Sequence, residues 1–326
     1  MAIDAHFEKA VPLIEYAKQL DAMSLERAFI ETFTEESDLL RAMPFKKIPQ
    51  GGKFRFYRTA ELPDVQHRAL NEPGNVSHGR TTKFEEGVFI MDEYVKVDRR
   101  LVDENGSSER ARQVHLKTIA MSQNTSREII KASTLSDPRE PNGLQARATR
   151  TDINLFHNAL GANGAALSLL NLDTTIAAVN RPTHIIIPYA FRPRFQQAAR
   201  SPTLTNSVIQ LGGGQGQGAL DRGVPMSYNG IPILWGYEPD DSPPLLAFDE
   251  VAYGGGDPAT GSIYVVSLGE GKLHGIEDVP LTVTDQGILP DQPLLVTHIK
   301  WDWGLAEPHP RSFARLDSIT NAAIVA

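Results

Sequence analysis

The stretch LGGGQGQGAL, Leu211 to Leu220, sets Gly214, Gly216 and Ala219 at the G-x-G-x-x-A spacing with which a loop can wrap a pyrophosphate. That chemistry needs glycines that open a helix, because the phosphate rests on the free N–H groups of the first turn. Here Gly223 and Pro225 follow within ALDRGVPMSYNG and leave no room for one. The pattern G-x-x-x-x-G-K-[ST] occurs nowhere, so the stretch reads as a surface loop rather than a phosphate cradle. Other reactive constellations are equally missing. There is no G-x-S-x-G and no H-E-x-x-H, and no two of the nine histidines stand three or four residues apart, the spacing that puts two ligands on one helix face. Paired acids such as Glu85–Glu86 and Asp240–Asp241 point to opposite faces of a strand or fall in loops, which suits solvated charge better than acid/base work. Trp235, Trp301 and Trp303 lie in strand-like runs and read as core or interface. No catalytic, cofactor-binding or metal-binding residue is assigned.

Composition narrows the classes further. The chain has 326 residues, 41% of them hydrophobic, enough for one elaborate domain or two modest ones with a packed core. Cysteine is absent, which removes disulfides, thiolate nucleophiles and thiolate metal sites together. No signal-peptide pattern and no apolar run of membrane-spanning length is present, so a soluble protein made in a cytoplasm is expected. The net charge of -8 argues against general nucleic-acid binding, which relies on Lys and Arg to neutralise phosphates. This charge is unevenly placed. Residues 1–150 carry 23 basic and 23 acidic side chains, whereas residues 151–326 carry nine and 17. Complementary patches between copies of one chain are a reading of that asymmetry, beside simple solvated faces.

The elements that would carry these residues are α and β in mixture. Residues 1–45 read as short amphipathic helices, with Pro12 and Ser24 at helix starts. KFRFYR (Lys53 to Arg58) and VFIMDEYVKV (Val88 to Val97) read as the two strands of a long hairpin joined by about 29 residues rich in Pro, Gly, Asn and charge. A connection of that length is functional or disordered more often than not. Ser107 to Ser133 lacks Pro and Gly and has a narrow stripe, Ala111, Val114, Thr118, Met121 and Ile129, predicting a long helix with one wet side. A turn-rich loop, Leu135 to Arg150, follows with an Asn142-Gly143 turn signal. Beyond it the pattern predicts a helix at Leu155 to Leu160, a buried strand THIIIP and a helix at Tyr189 to Arg200. The runs IPILWGY, PLLAFDEVAY, SIYVVSLG, LTVT and LLVTHIKWDWG then read as strands. The class is α+β with mostly antiparallel sheet.

This order of parts resembles the major capsid proteins of tailed double-stranded DNA bacteriophages, which have the Hong Kong 97 fold. LLRAMPFKKIPQGGKFRFYRTAELPDVQHRALNEPG is similar to the family's passage from N-terminal arm into extended loop, and DEYVKVDRRLVDENG to the return into the spine helix. DPREPNGLQAR resembles the loop after the spine. RPTHIIIPYAFRPRFQQAAR and YNGIPILWGYEPD are similar to axial-domain elements, and THIKWDWGLAEPHPRSFARLDSI to the C-terminal strand. The resemblance implies an N-terminal arm over residues 1–45, an extended loop over 46–104, and the spine helix with the first part of the peripheral domain over 105–150. It further implies an axial domain over 151–280 and C-terminal strands returning to the peripheral domain over 281–326.

On that resemblance the expected function is structural: hexamers and pentamers of this chain forming an icosahedral shell around packaged DNA, which is enclosed without specific binding. Gly212, Gly214, Gly216 and Gly218 would form an axial loop whose backbone adapts to six- and fivefold surroundings. Phe54, Phe56, Pro63, Arg68, Pro73 and Arg80 would be the inter-subunit residues of the extended loop, and Arg110, Arg112, Arg139, Arg147 and Arg150 would make charged contacts from the spine and peripheral domain. Portal and decoration proteins are the implied partners, with no membrane and no cofactor. As the sequence starts at Met1, a separate scaffold is expected rather than one cleaved from this chain. The location would be the virion capsid, after assembly in the host cytoplasm. An encapsulin-like shell around protein cargo, and a soluble nucleotide-dependent enzyme using residues 212–218, remain the alternatives.

Overall fold

The structure, a computed structural model, describes residues 10–20, 25–48, 52–105, 108–200, 209–211, 225–236 and 244–325. A short strand β1 (Val11–Pro12) leads into helices α1 (Leu13–Ala17), α2 (Leu25–Glu35) and α3 (Asp38–Ala42), then β2 (Pro44–Lys47). Next come β3 (Lys53–Glu61), β4 (Arg80–Gly87) and β5 (Phe89–Asp98), followed by α4 (Arg99–Asn105), the long α5 (Ser108–Lys131) and α6 (Leu144–Arg147). The rest of the chain alternates more finely: β6 (Leu155–His157), β7 (Ala165–Ser168), α7 (Leu169–Ala178), β8 (His184–Pro188), α8 (Arg192–Arg200), β9 (Ile209–Leu211), β10 (Pro225–Tyr228) and β11 (Ile231–Gly236). It closes on β12 (Thr260–Val266), β13 (His274–Ile288), β14 (Leu294–Ala306) and β15 (Phe313–Val325).

Two larger sheets organise these elements. One has the order β1-β2-β13-β14-β5, and the other runs β6-β15-β12-β8-β11-β10-β9 with β7 added beside β15. Both mix parallel and antiparallel pairs: β13 with β2, β11 with β8, and β15 with β6 and β7 are parallel. In the eight-stranded sheet, alternate side chains of one strand enter different cores, as a period of two dictates. Ile186, Tyr264, Val266 and Phe313 join the core shared with α1 to α3 and α5, while Ile185, Ile187, Ile263, Val265, Ala314 and Leu316 pack with α7 and α8. Burial on both faces is why HIIIP and SIYVV are nearly unbroken apolar runs.

In the first core Trp301 and Trp303 stack at 5.4 Å, and Phe33 and Phe45 close on Trp301. Helix α5, at about 1.5 Å per residue, is roughly 36 Å long. Its buried stripe is wider and more polar than predicted: Thr118, Ser122, Thr125, Ser126 and Glu128 are buried beside Val114, Met121 and Ile129, whereas Ala111 stays exposed. Ser122 donates to the Phe33 carbonyl at 2.8 Å, and Ser126 bonds Ser37, the N-cap of α3, at 2.7 Å. These hydroxyls let α5 lie close against α2 and α3 without orphaning most of its polar groups.

Several expectations change. The long hairpin is β3 paired with β4, not with VFIMDEYVKV; that run is β5, which pairs with β14 along its whole length at the edge of the five-stranded sheet. Leu155 to His157 is a strand rather than the start of a helix, and the helix of that region is α7. PLLAFDEVAY has no strand; it packs as irregular chain, with Leu245 and Leu246 buried and only Glu250 bridged to Thr260. The division at 280/281 does not follow the sheets. β13 crosses it as one strand, and β15 joins the eight-stranded sheet rather than returning to the other. Gly212, Gly214, Gly216 and Gly218, Ser24 and Asp240–Asp241 lie outside the described residues.

Candidate assembly surface

The two-stranded arm is built by alternation. Phe54, Phe56 and Arg58 share one face of β3, and the register sets Phe56 opposite Phe84 of β4, where the rings stack 5.7 Å apart. The Arg58 guanidinium lies 4.6 Å from the Phe84 centroid and 5.3 Å from that of Phe56, close enough for a cation–π contact with both. Beyond the rings, its Nε donates to the Pro308 carbonyl at 3.0 Å and its Nη2 to the Glu307 carbonyl. The Glu307 carboxylate, 3.6 Å away and buried, is pushed up to about 7 by burial against the pull of Arg58, Arg147 and Arg150.

A second tie comes from α6. Arg147 meets Glu86 of β4 with two parallel hydrogen bonds of 2.6 and 2.9 Å, the planar fork-to-carboxylate geometry, and also donates to the carbonyls of Leu305 at 3.0 Å and Asn142 at 2.7 Å. At the same junction the backbones nearly touch. A Cβ on Gly304 would stand 2.4 Å from the Gly87 carbonyl oxygen, so only glycine lets β4 approach β14 there. The other face of the arm is cationic around one acid. Glu85 collects Lys53 at 3.7 Å, Arg55 at 3.1 Å and Lys83 at 2.7 Å, and the Lys83 hydrogen bond leads in holding its carboxyl below the usual range.

Past the strands, residues 62–79 touch little but themselves. Asp64 accepts from Gln66 at 2.6 Å and Asn75 at 3.3 Å, Ser77 donates to the Asp64 carbonyl, and Glu72 accepts from the Ala69 amide. The polar groups fold the tip on itself, leaving Leu62, Val65, Leu70 and Val76 at 79, 88, 92 and 82% exposure.

The predicted residues divide accordingly. Pro63, Arg68, Pro73 and Arg80 are exposed on the arm, Arg68 donating to the Glu72 carbonyl. Phe56 is buried and Phe54 packs edge-on to His274 at 5.4 Å, so both fasten the arm to its own chain. Four of the five flagged arginines find intrachain acids: Arg110 is bidentate to Asp285 at 2.8 and 2.6 Å, Arg112 meets Glu109, Arg139 meets Asp137, and Arg147 meets Glu86. Arg150 is exposed and contributes charge near Arg58 and Glu307. Sequence reasoning missed Arg58, Glu86 and Glu307. Arg58 alone had a signal, standing two residues past Phe56 on the same strand face.

No group of three His, Asp or Glu side chains that could hold a metal is found among the described residues, and no helix among them is long and apolar enough to cross a membrane. The fold, two sheets with a long spine helix and a projecting arm, is that of Hong Kong 97-type shell proteins. An encapsulin complex from Synechococcus elongatus superimposes with a TM-score of 0.61 at 15% identity, covering 96% of this chain and 97% of that one. The capsid of a native GTA particle gives 0.61 at 11% identity over 89% and 91%, and Mycobacterium phage Bobi 0.57 at 13% over 89% and 91%. No curated protein matches the chain in sequence. The family model of major capsid protein GP7 matches residues 22–169, which hold the arm and the spine. The chain has the Hong Kong 97-like fold, and the part of it that holds the arm and the spine is similar to a major capsid protein.

Proposed function

We propose that the chain assembles as hexamers and pentamers into an icosahedral shell around packaged double-stranded DNA, with the β3–β4 arm of each copy lying on a neighbour. The observation that carries this reading is the arm itself: two strands fastened at the root by Arg58 and Arg147, ending in a tip whose apolar side chains no part of its own chain covers. An isolated two-stranded ribbon is marginal in water and gains from a surface to lie on. The excess of acid in residues 151–326 suits a wall that encloses DNA without holding it. The finished particle would reside in the virion after assembly in the host cytoplasm, with separate scaffold, portal and decoration proteins completing it.

Removing residues 61–79 tests the arm. The shortened chain should keep its circular dichroism and melting temperature yet form no closed particles by electron microscopy; normal particles would refute the assembly role. The contents decide a second reading, favoured by the encapsulin likeness over nearly the whole of both chains. Nuclease-protected DNA inside particles from producing cells supports the capsid, and protein cargo without DNA overturns it.

A further inference from the structure

Strand β5 ends the five-stranded sheet: it pairs with β14 over ten residues without a bulge, and no strand lies beyond it among the described residues. Every second residue therefore turns its N–H and C=O away from the sheet. Edges of this kind are blunted by proline, lysine or a bulge, and residues 89–93 have none of the three. Beside that half of the strand opens a groove of about 390 Å³, with β5 as one bank and the loop at Arg139 and Glu140 as the other. Met121 and Glu128 of α5 and Trp303 of β14, all buried, form its floor. The core-facing row of β5 shows that cover is missing here: Val95 and Val97 are buried, whereas Phe89, Met91 and Glu93 of the same row stay half-open.

The charges along the groove are not balanced. Lys117 is taken by Glu93 at 2.6 Å, Arg139 by Asp137 at 3.0 Å and Arg127 by Glu140 at 3.1 Å. Glu128, 7% exposed, accepts from the neutral Asn124 amide at 2.5 Å and forms no ion pair among the described residues. Burial leads in pushing its carboxyl up to about 7, as befits a charge without a cation beside it. We propose that this groove docks an extended segment of another protein, which adds a strand to β5 at residues 89–93 and turns an arginine or lysine onto Glu128. Main-chain bonds to the open edge supply affinity, and the buried acid selects for a cation. Side chains two residues to either side of that cation fall in the same row, over Trp303 and Met121, so apolar residues suit those places. This chain's own projecting segment is a poor match, since residues 61–79 carry Glu61, Asp64 and Glu72 against one arginine, Arg68.

The probe is a blocked peptide, Val-Thr-Arg-Thr-Val, titrated at pH 8 into unassembled subunits and followed by tryptophan fluorescence. It should bind saturably and at least tenfold more tightly than Val-Thr-Glu-Thr-Val. Glu128→Gln should weaken the arginine peptide about tenfold while circular dichroism stays unchanged. Strand addition uses alternate amides, so methylating the two threonine nitrogens and methylating the arginine nitrogen should differ, one abolishing binding and the other tolerated. Equal affinity for the two peptides, an unchanged affinity in Glu128→Gln, tolerance of both methylation patterns, or no binding at millimolar peptide would overturn the proposal. If free subunits bind the peptide but assembled particles do not, another copy of the chain fills the groove in the shell, and docking of a different protein is refuted.

Discussion

Glu128 offers a prediction with a worked magnitude. It sits on α5 at the floor of a groove beneath β5, and its Oε1 accepts from Asn124 at 2.5 Å. Burial, with Glu140 adding to it and Asn124 and Arg127 opposing, pushes its carboxyl from 4.5 to about 7. The folded state therefore holds this proton over a range where the unfolded chain has lost it. Stability from this group is full below about 4.5 and is lost as pH rises through about 7. At about 1.4 kcal/mol per pKa unit the loss is about 3.5 kcal/mol, which partial solvent screening brings to about 2. Glu128→Gln keeps the shape and removes the titration. It should be near neutral at pH 5 and stabilise by about 2 kcal/mol at pH 8. Urea unfolding of unassembled subunits, followed by the fluorescence of buried Trp301 and Trp303, measures it. Glu307 titrates in the same window, so the wild-type slope should shrink rather than vanish. An equal effect of the substitution at both pH values would refute the reasoning.

Gly304→Ala should cost about 1–3 kcal/mol in the same assay, because the new methyl meets the Gly87 carbonyl, a backbone atom that cannot turn away. A substitution that leaves the urea midpoint unchanged would show that the arm's base is not seated there. Mature particles should run as a single band near 35.8 kDa after boiling in detergent. There is no cysteine for disulfides and no lysine between Thr59 and Thr82, while Lys53 and Lys83 stand on the strands beside Glu85. A ladder of covalent multimers would contradict this.

What could be read from the sequence was what local pattern controls. HIIIP and SIYVV are apolar on both faces because both faces are buried, and the Pro- and Gly-free run after Ser107 is one helix. Strand partners were not legible in the same way. TTKFEEG is charged and looks poorer as a strand than VFIMDEYVKV, yet it sits opposite β3, because β5 is drawn into the five-stranded sheet by ten successive pairings with β14. Asn142-Gly143 looked like a turn, but Gly143 caps α6 and the Asn142 side chain accepts from Thr134. The hydroxyl-rich side of α5 escaped notice because its partners, Phe33 and Ser37, are 89 residues away. The arm's fastening was half visible. Arg147 was flagged as a cation, but Arg58 and Glu307 are 249 residues apart in the sequence, and nothing local pairs them.

Strand β15 occupies an interior position, with β6 and β7 on one side and β12 on the other. Until residues 313–325 pair, β6 and β7 are unanchored and β12 has an open edge. Pairings between residues near 155–168 and 313–325 are widely separated in sequence, and contacts of that separation slow folding. The second core thus depends on one strand: without β15, Ala314, Leu316, Ile319 and Ile324 are withdrawn from it and the sheet beneath α7 and α8 divides.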